Sequence, residues 1–195
     1  ILVIVVVSII ATILNPKFLS ARNFFNVMQQ ISVLGILSMC MALLMISGNL
    51  DISIGNMAGL VGMVFVRMVL SGYSMGLSAL IVLVMSAALG FINGLIIAKS
   101  KTTPLIITLG MMYVYYGIAL LISEGRPHSL GGQFQFFGRA KIGPIPFTII
   151  VYLLIFAFGL ILRRYTTYGR RINAIGGNSE AAFLSGINVD RHVIS

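Results

Sequence analysis

Charge is scarce in this chain. Only 9% of its 195 residues are Asp, Glu, Lys or Arg, against about 25% in ordinary soluble domains. Such a chain cannot cover itself with a water-facing surface. Acidic residues are rarer still: Asp51, Glu124, Glu180 and Asp190 are all there are, and only Asp51 lies well inside an apolar tract. No paired-carboxylate or Ser/His/Asp arrangement points to hydrolysis. The single cysteine, Cys40, rules out an internal disulfide and leaves the redox compartment unreadable. His128 and His192 stand far apart, with no cysteine or carboxylate pattern at metal-ligand spacing. No G-x-x-x-x-G-K-[ST] loop occurs, so the chain is not expected to hold ATP phosphates itself. These absences argue against an enzyme and against a catalytic, cofactor or metal site on this chain. No repeat or low-complexity tract stands out.

Oil is plentiful. Hydrophobic residues make up 58% of the chain and mean hydropathy is +1.05, which places it in a bilayer. A span needs about 20 apolar residues. Six candidates are visible, at 1–14, 24–47, 52–71, 75–98, 104–123 and 144–162. Asn15-Pro16 breaks the first, Asn23 offers a cap for the second, and Arg67 interrupts the third. Gly72-Tyr73-Ser74 makes a turn, Pro104 opens the fifth span, and Pro144 and Pro146 start the sixth. The fold class is therefore all-α, a polytopic transmembrane bundle. The chain opens without Met or a basic lead-in and is expected to be a partial one. Residues 1–14 fit a truncated first helix better than the core of a signal peptide.

The net charge of +9 would suggest nucleic acid in a soluble protein. In a membrane protein, basic residues flank spans and set orientation instead, so a lipid bilayer and no nucleic acid is the expectation. If Arg163, Arg164, Arg170 and Arg171 are cytoplasmic, the spans alternate cleanly. Lys99 and Lys101 then fall inside. Residues 15–23, 72–74 and the loop 124–143 fall outside. The inside carries seven basic residues, with Arg191, and the outside five: Lys17, Arg22, Arg126, Arg139 and Lys141. The outer loop also holds His128 and Phe134, Phe136 and Phe137, which could dock a protein or lie in the membrane interface.

Small residues recur at helical spacing, Gly55 with Gly59 and Ser86 with Gly90 and Gly94. Such rows let helices approach closely in lipid. Polar residues interrupt the oil at Ser47-Gly48-Asn49-Leu50-Asp51-Ile52-Ser53-Ile54-Gly55-Asn56. A carboxylate at mid-bilayer costs about 3 kcal/mol on insertion scales, so Asp51 requires a partner, a cavity or an interfacial position. Two readings stand: a helix break facing or supporting a translocation pathway, with Asn49, Asp51, Ser53, Gly55, Asn56 and Thr108 as its residues, or an interfacial turn in which Asp51 caps the next helix. Tyr113 and Tyr116 can anchor at an interface or face a polar solute.

The longest polar stretch runs from Tyr168 to Ile187, within the segment 163–195. Asn178 or Ser179 can cap a helix start, Glu180 then suits the positive end of the helix dipole, and Gly186 can close the helix in a left-handed conformation. The helix implied, 179–185, is about 10 Å long. A lone helix that short is marginal in water, so the segment suggests a helix presented to a partner's groove.

These residues resemble a known family. Glu180-Ala181-Ala182 with Gly186 is similar to the EAA…G pattern in the cytoplasmic loop of ABC-importer permeases. Gly169-Arg170, Ala174-Ile175-Gly176-Gly177-Asn178 and Leu184-Ser185-Gly186-Ile187-Asn188-Val189 look like the ribose/galactose/autoinducer-type sugar permeases. The stretch 47–56 resembles that family's Gly-Gly-Ile-Asp-Leu-Ser-Val-Gly motif, with Asn49 and Leu50 where Gly and Ile are frequent. Thr103-Pro104-Leu105-Ile106-Ile107-Thr108-Leu109-Gly110, Tyr116-Gly117 and Gly125-Arg126-Pro127 match its fifth span. The resemblance implies a multi-pass permease of the bacterial inner membrane and a coupling helix carried by Arg170, Asn178, Glu180, Ala181, Ala182, Leu184 and Gly186. Its implied partners are a second permease subunit, a soluble substrate-binding protein, and cytoplasmic ATPase subunits that bind ATP and Mg. An ATP-independent secondary transporter or channel is the alternative, and a non-transporting membrane scaffold a third.

Overall fold

A computed structural model describes residues 2–100, 102–132 and 140–194. Lys101, Phe134, Phe136, Phe137 and Arg139, invoked above, lie outside the described residues. The described residues are predominantly helical, with nine α-helices, and fall into two compact units. One holds the chain up to Ile36 with Ala140 to Ala157; the other holds Leu37 to Gly132 with Phe158 to Ile194.

In the first unit, α1 (Leu2–Leu14) ends at Asn15, whose side chain accepts from Lys17 N at 3.0 Å and starts a 3-10 turn, Pro16–Leu19. Helix α2 (Ala21–Ile46) begins here and continues into the second unit. Its cap differs from expectation. The Ser20 hydroxyl accepts from Asn23 N at 3.3 Å, while the Asn23 amide donates to Phe18 O at 2.8 Å. Ser20 has the extended backbone a cap requires (φ −67°, ψ 146°), so the helix starts three residues before the expected 24. Strands β1 (Lys141–Ile142) and β2 (Ile145–Pro146) form a short antiparallel ribbon. Pro146 belongs to that ribbon, so α6 (Phe147–Tyr165) starts at Phe147 rather than near Pro144.

In the second unit, α3 (Ile54–Leu70), α4 (Met75–Ser100) and α5 (Pro104–Ser123) pack together, α3 lying against both neighbours. Gly72, at φ +92°, makes the α3–α4 turn. Arg67 does not interrupt α3. It sits in the last turn and forms an exposed ion pair with Glu124, 3.4 Å away. After α6 come three short helices: α7 (Thr167–Gly177), α8 (Ser179–Leu184) and α9 (Val189–Ile194).

Four of these helices, α2, α4, α5 and α6, are long and apolar enough to cross a membrane. Helices α1 and α3, with 13 and 17 residues, are shorter apolar helices of about 20 and 26 Å, against a hydrocarbon core of about 30 Å. Burial is inverted relative to a water-soluble domain. Leu83 and Leu121 point outward at 66% and 81% exposure, while Ser32, Ser53, Ser78, Asn93 and Thr108 are buried. Lipid solvates the apolar faces, and polar groups pair inside where no water can reach them.

The expected small-residue rows are only partly in contact. A Cβ added at Gly55, Gly59 or Gly90 would meet nothing within 4 Å: Gly55 and Gly59 are exposed, and Gly90 borders a cavity. Gly94 differs, as described below.

Candidate functional site

The first polar constellation is the break between α2 and α3. Gly48 takes φ +79°, and the Asn49 amide donates to Ser47 O and Oγ at 3.3 and 3.2 Å. Asp51 Oδ1 accepts from Ser53 N at 2.8 Å and from the Ser53 hydroxyl. Its Oδ2 accepts from Asn93 Nδ2 of α4 at 3.2 Å. The same Asn93 nitrogen donates to Ser53 Oγ at 2.9 Å, and Tyr115 of α5 donates its hydroxyl to Asn93 Oδ1 at 2.7 Å. Asp51 is thus held by three neutral donors. The favourable ordering is clear: an unsatisfied group here would lose about 1–3 kcal/mol, whereas this chain of bonds satisfies each member in turn.

Two further side chains tie the break and the first turn of α3 to α5. Thr108 donates to Leu50 O at 3.4 Å and to Leu105 O at 3.3 Å, and Asn56 donates to Met112 O at 3.0 Å. Thr108 and Ser53 are completely buried, so neither presents its hydroxyl to an open surface. Asn49, Asp51 and Asn93 border a cavity of about 490 Å³, walled on its apolar side by Phe91, Gly94 and Ile194. Tyr113 and Tyr116 are exposed on the outside of α5.

The second constellation is the segment after α6. Thr166 caps α7, accepting from Gly169 N at 3.1 Å. Gly169 lies so close to Arg163 O that no side chain fits, and Gly176 is equally tight on Ile46 O. Asn178 closes α7 and opens α8. Its N–H donates to Ala174 O at 3.1 Å, and its Oδ1 accepts from Glu180 N and Ala181 N at 3.0 and 2.9 Å. Of the two expected caps, Asn178 is the one used. Glu180 occupies the first turn of α8. At the other end Gly186 takes φ +84°, and Ile187 N donates to Ala182 O at 3.0 Å, a glycine-closed C-terminus. Ala182 is buried, while Phe183 and Leu184 are 67% and 82% exposed. Arg170 is exposed on α7. Asn188 caps α9 through Arg191 N at 2.9 Å, and Tyr168 stacks on His192 with ring centroids 5.9 Å apart.

The predicted residues therefore form two groups, Asn49, Asp51, Ser53, Asn56 and Thr108 around the break, and Asn178 to Gly186 on α8 and its two ends, with Arg170 apart on α7. Gly55 joins neither by contact. Sequence reasoning missed Asn93, Tyr115 and Phe183. Asn93 left a signal, as the one carboxamide in the apolar stretch 75–98. Phe183 left another, a bulky apolar residue in a polar segment.

Residues 23–195 match the family model described as "Branched-chain amino acid transport system / permease component". The chain belongs to this family. It is 37% identical over 186 residues to the ribose import permease protein of Bacillus subtilis (strain 168), covering 94% of this chain and 58% of that protein. It is 34% identical over 197 residues to the D-allose transport system permease protein of Escherichia coli (strain K12), covering 97% and 59%. It is 32% identical over 207 residues to the fructose import permease protein of Rhizobium meliloti, covering all of this chain and 57% of that protein. The chain thus spans under two-thirds of the length of these relatives. No solved structure matches it. With its four long apolar helices, the chain is a multi-pass protein of the bacterial inner membrane.

Proposed function

We propose that this chain is the membrane-spanning permease part of an ATP-driven importer for a monosaccharide or a related small polar solute. It works with a second permease subunit, cytoplasmic subunits that bind ATP and Mg, and a soluble substrate-binding protein. The likeness to ribose, allose and fructose permeases supports the solute class. The observation that carries the reading is α8: six residues, capped at both ends, with Phe183 and Leu184 outward and Ala182 inward. An isolated helix of this length does not hold itself together; its caps and its buried face preorganise it, and its exposed apolar pair suits a groove on another protein. Closure of the ATPase subunits on ATP pulls α8, and the spans alternate the pathway between the two sides of the membrane.

The test uses the full-length permease with its partner subunits in reconstituted vesicles. Glu180→Trp and Gly186→Val are expected to insert normally while solute-stimulated ATP hydrolysis and uptake of labelled ribose fall. Stimulation unchanged in both variants would remove α8 from the coupling role.

A further inference from the structure

The segments on both sides of α8 make close backbone contacts, one with the helix break and one with α4 beside Asn93. On the N-terminal side, Gly176 is the penultimate residue of α7. A Cβ there would overlap Ile46 O, and one at Gly48 would lie 3.7 Å from Gly176 Cα. Ile46 and Gly48 are where α2 ends and the break begins. On the C-terminal side, α9 lies on α4. A Cβ at Gly94 would fall 2.8 Å from Ile194 Cα and 2.9 Å from Val193 O. Gly94 adjoins Asn93, whose amide holds Asp51 and Ser53. Val193 and Ile194 also wall the cavity beside Asp51. Two backbone contacts therefore flank the coupling helix, one at the start of the break that leads to Asp51 and one beside Asn93.

We propose that Gly94 and Gly176 are positioning residues that join the coupling segment to the helix break, so that displacement of α8 reaches Asp51 and Asn93 through two close backbone contacts. Backbone against backbone is a stiff junction: no rotamer lies between the two chains to absorb a movement, and packed interiors respond by shifting rather than compressing. The Asp51–Asn93–Tyr115 cluster is the receiving element, because its hydrogen bonds tie α3, α4 and α5 at one point. Asp51 then acts by holding the break in register, and contact with solute is not required of it. This proposal rests on the coupling role given to α8 above.

Gly94→Ala and Gly176→Ala in the full-length complex test it. Gly76→Ala and Gly177→Ala are matched controls, since a Cβ at either site meets nothing within 4 Å and neither borders the cavity beside Asp51. In Gly94→Ala the ATPase subunit should still co-purify and basal hydrolysis should persist, whereas Gly176→Ala, whose Cβ would overlap backbone as at Gly169, should also lower the recovery of folded complex. Solute-stimulated hydrolysis should fall by about two- to thirtyfold, with the controls unchanged. The effects of Gly94→Ala and Asn93→Ala should also be non-additive, as expected for one path. A measurement on the unaltered complex covers the case in which a variant fails to fold. Hydrogen exchange in peptides spanning 46–56 and 188–194 should change together when ATP and vanadate are added. A response confined to 179–187, or full stimulation in both glycine variants, would overturn the link while leaving the coupling role of α8 standing. An unaltered complex with no ATPase partner would sink both.

Discussion

Asn93 and Tyr115 meet through a 2.7 Å hydrogen bond between two almost completely buried side chains. The phenol hydroxyl donates to the amide oxygen, which orients the amide with its nitrogen donating to Asp51 and Ser53. Tyr115→Phe keeps the ring but orphans Asn93 Oδ1. The expected loss is about 1 kcal/mol of stability, measured as a lower Tm in detergent, with unchanged membrane insertion.

Asn93→Leu is the harsher change. It preserves approximate volume but removes a donor from Asp51 and from Ser53 and an acceptor from Tyr115. Asp51 keeps both Ser53 donors and Tyr115 keeps a 3.4 Å bond to Leu89 O, so the loss comes from weakening three partners, about 1–3 kcal/mol in all. Thermal unfolding should begin markedly lower than in Tyr115→Phe; equal midpoints would mean the amide is not the hub of the cluster.

Gly169→Ala should prevent normal folding of the segment after α6. A Cβ there collides with backbone atoms of Leu162 and Arg163, which cannot rotate away as a side chain could. Overpacking of this kind costs about 1–3 kcal/mol or more. Recovery of monodisperse protein should drop, whereas Gly177→Ala should be recovered normally.

Glu124 ends α5 with a left-handed backbone, φ 54°, a conformation that costs a non-glycine residue about 1–2 kcal/mol. Its pair with Arg67 is exposed on both sides and contributes at most about 1 kcal/mol. Glu124→Gly should therefore leave Tm unchanged or raise it, and Glu124→Val should lower it.

The long apolar runs were legible because nothing competes with them: residues 104–123 were expected as a span, with Pro104 at its first turn, and α5 covers the same residues. The ends of α2 and α6 were less so, since Ser20 and the 141–146 ribbon act through geometry that hydropathy does not carry. Helix α7 was not anticipated. Glycines lower its helix propensity, yet Gly169 and Gly176 are there because other backbone lies against them. Asp51 announced itself as a carboxylate in oil, but its partner on α4 lies 42 residues along the chain, and only the packing of α3 on α4 and α5 brings Asn93 and Tyr115 to it.

Asn178 ends one helix with its backbone and begins the next with its side chain. The elbow between α7 and α8 is therefore a single residue long, and that residue bonds to both helices. Under the coupling role proposed for α8, load on Phe183 and Leu184 would reach α7 through Asn178, so a lesion at this one amide would uncouple the two helices.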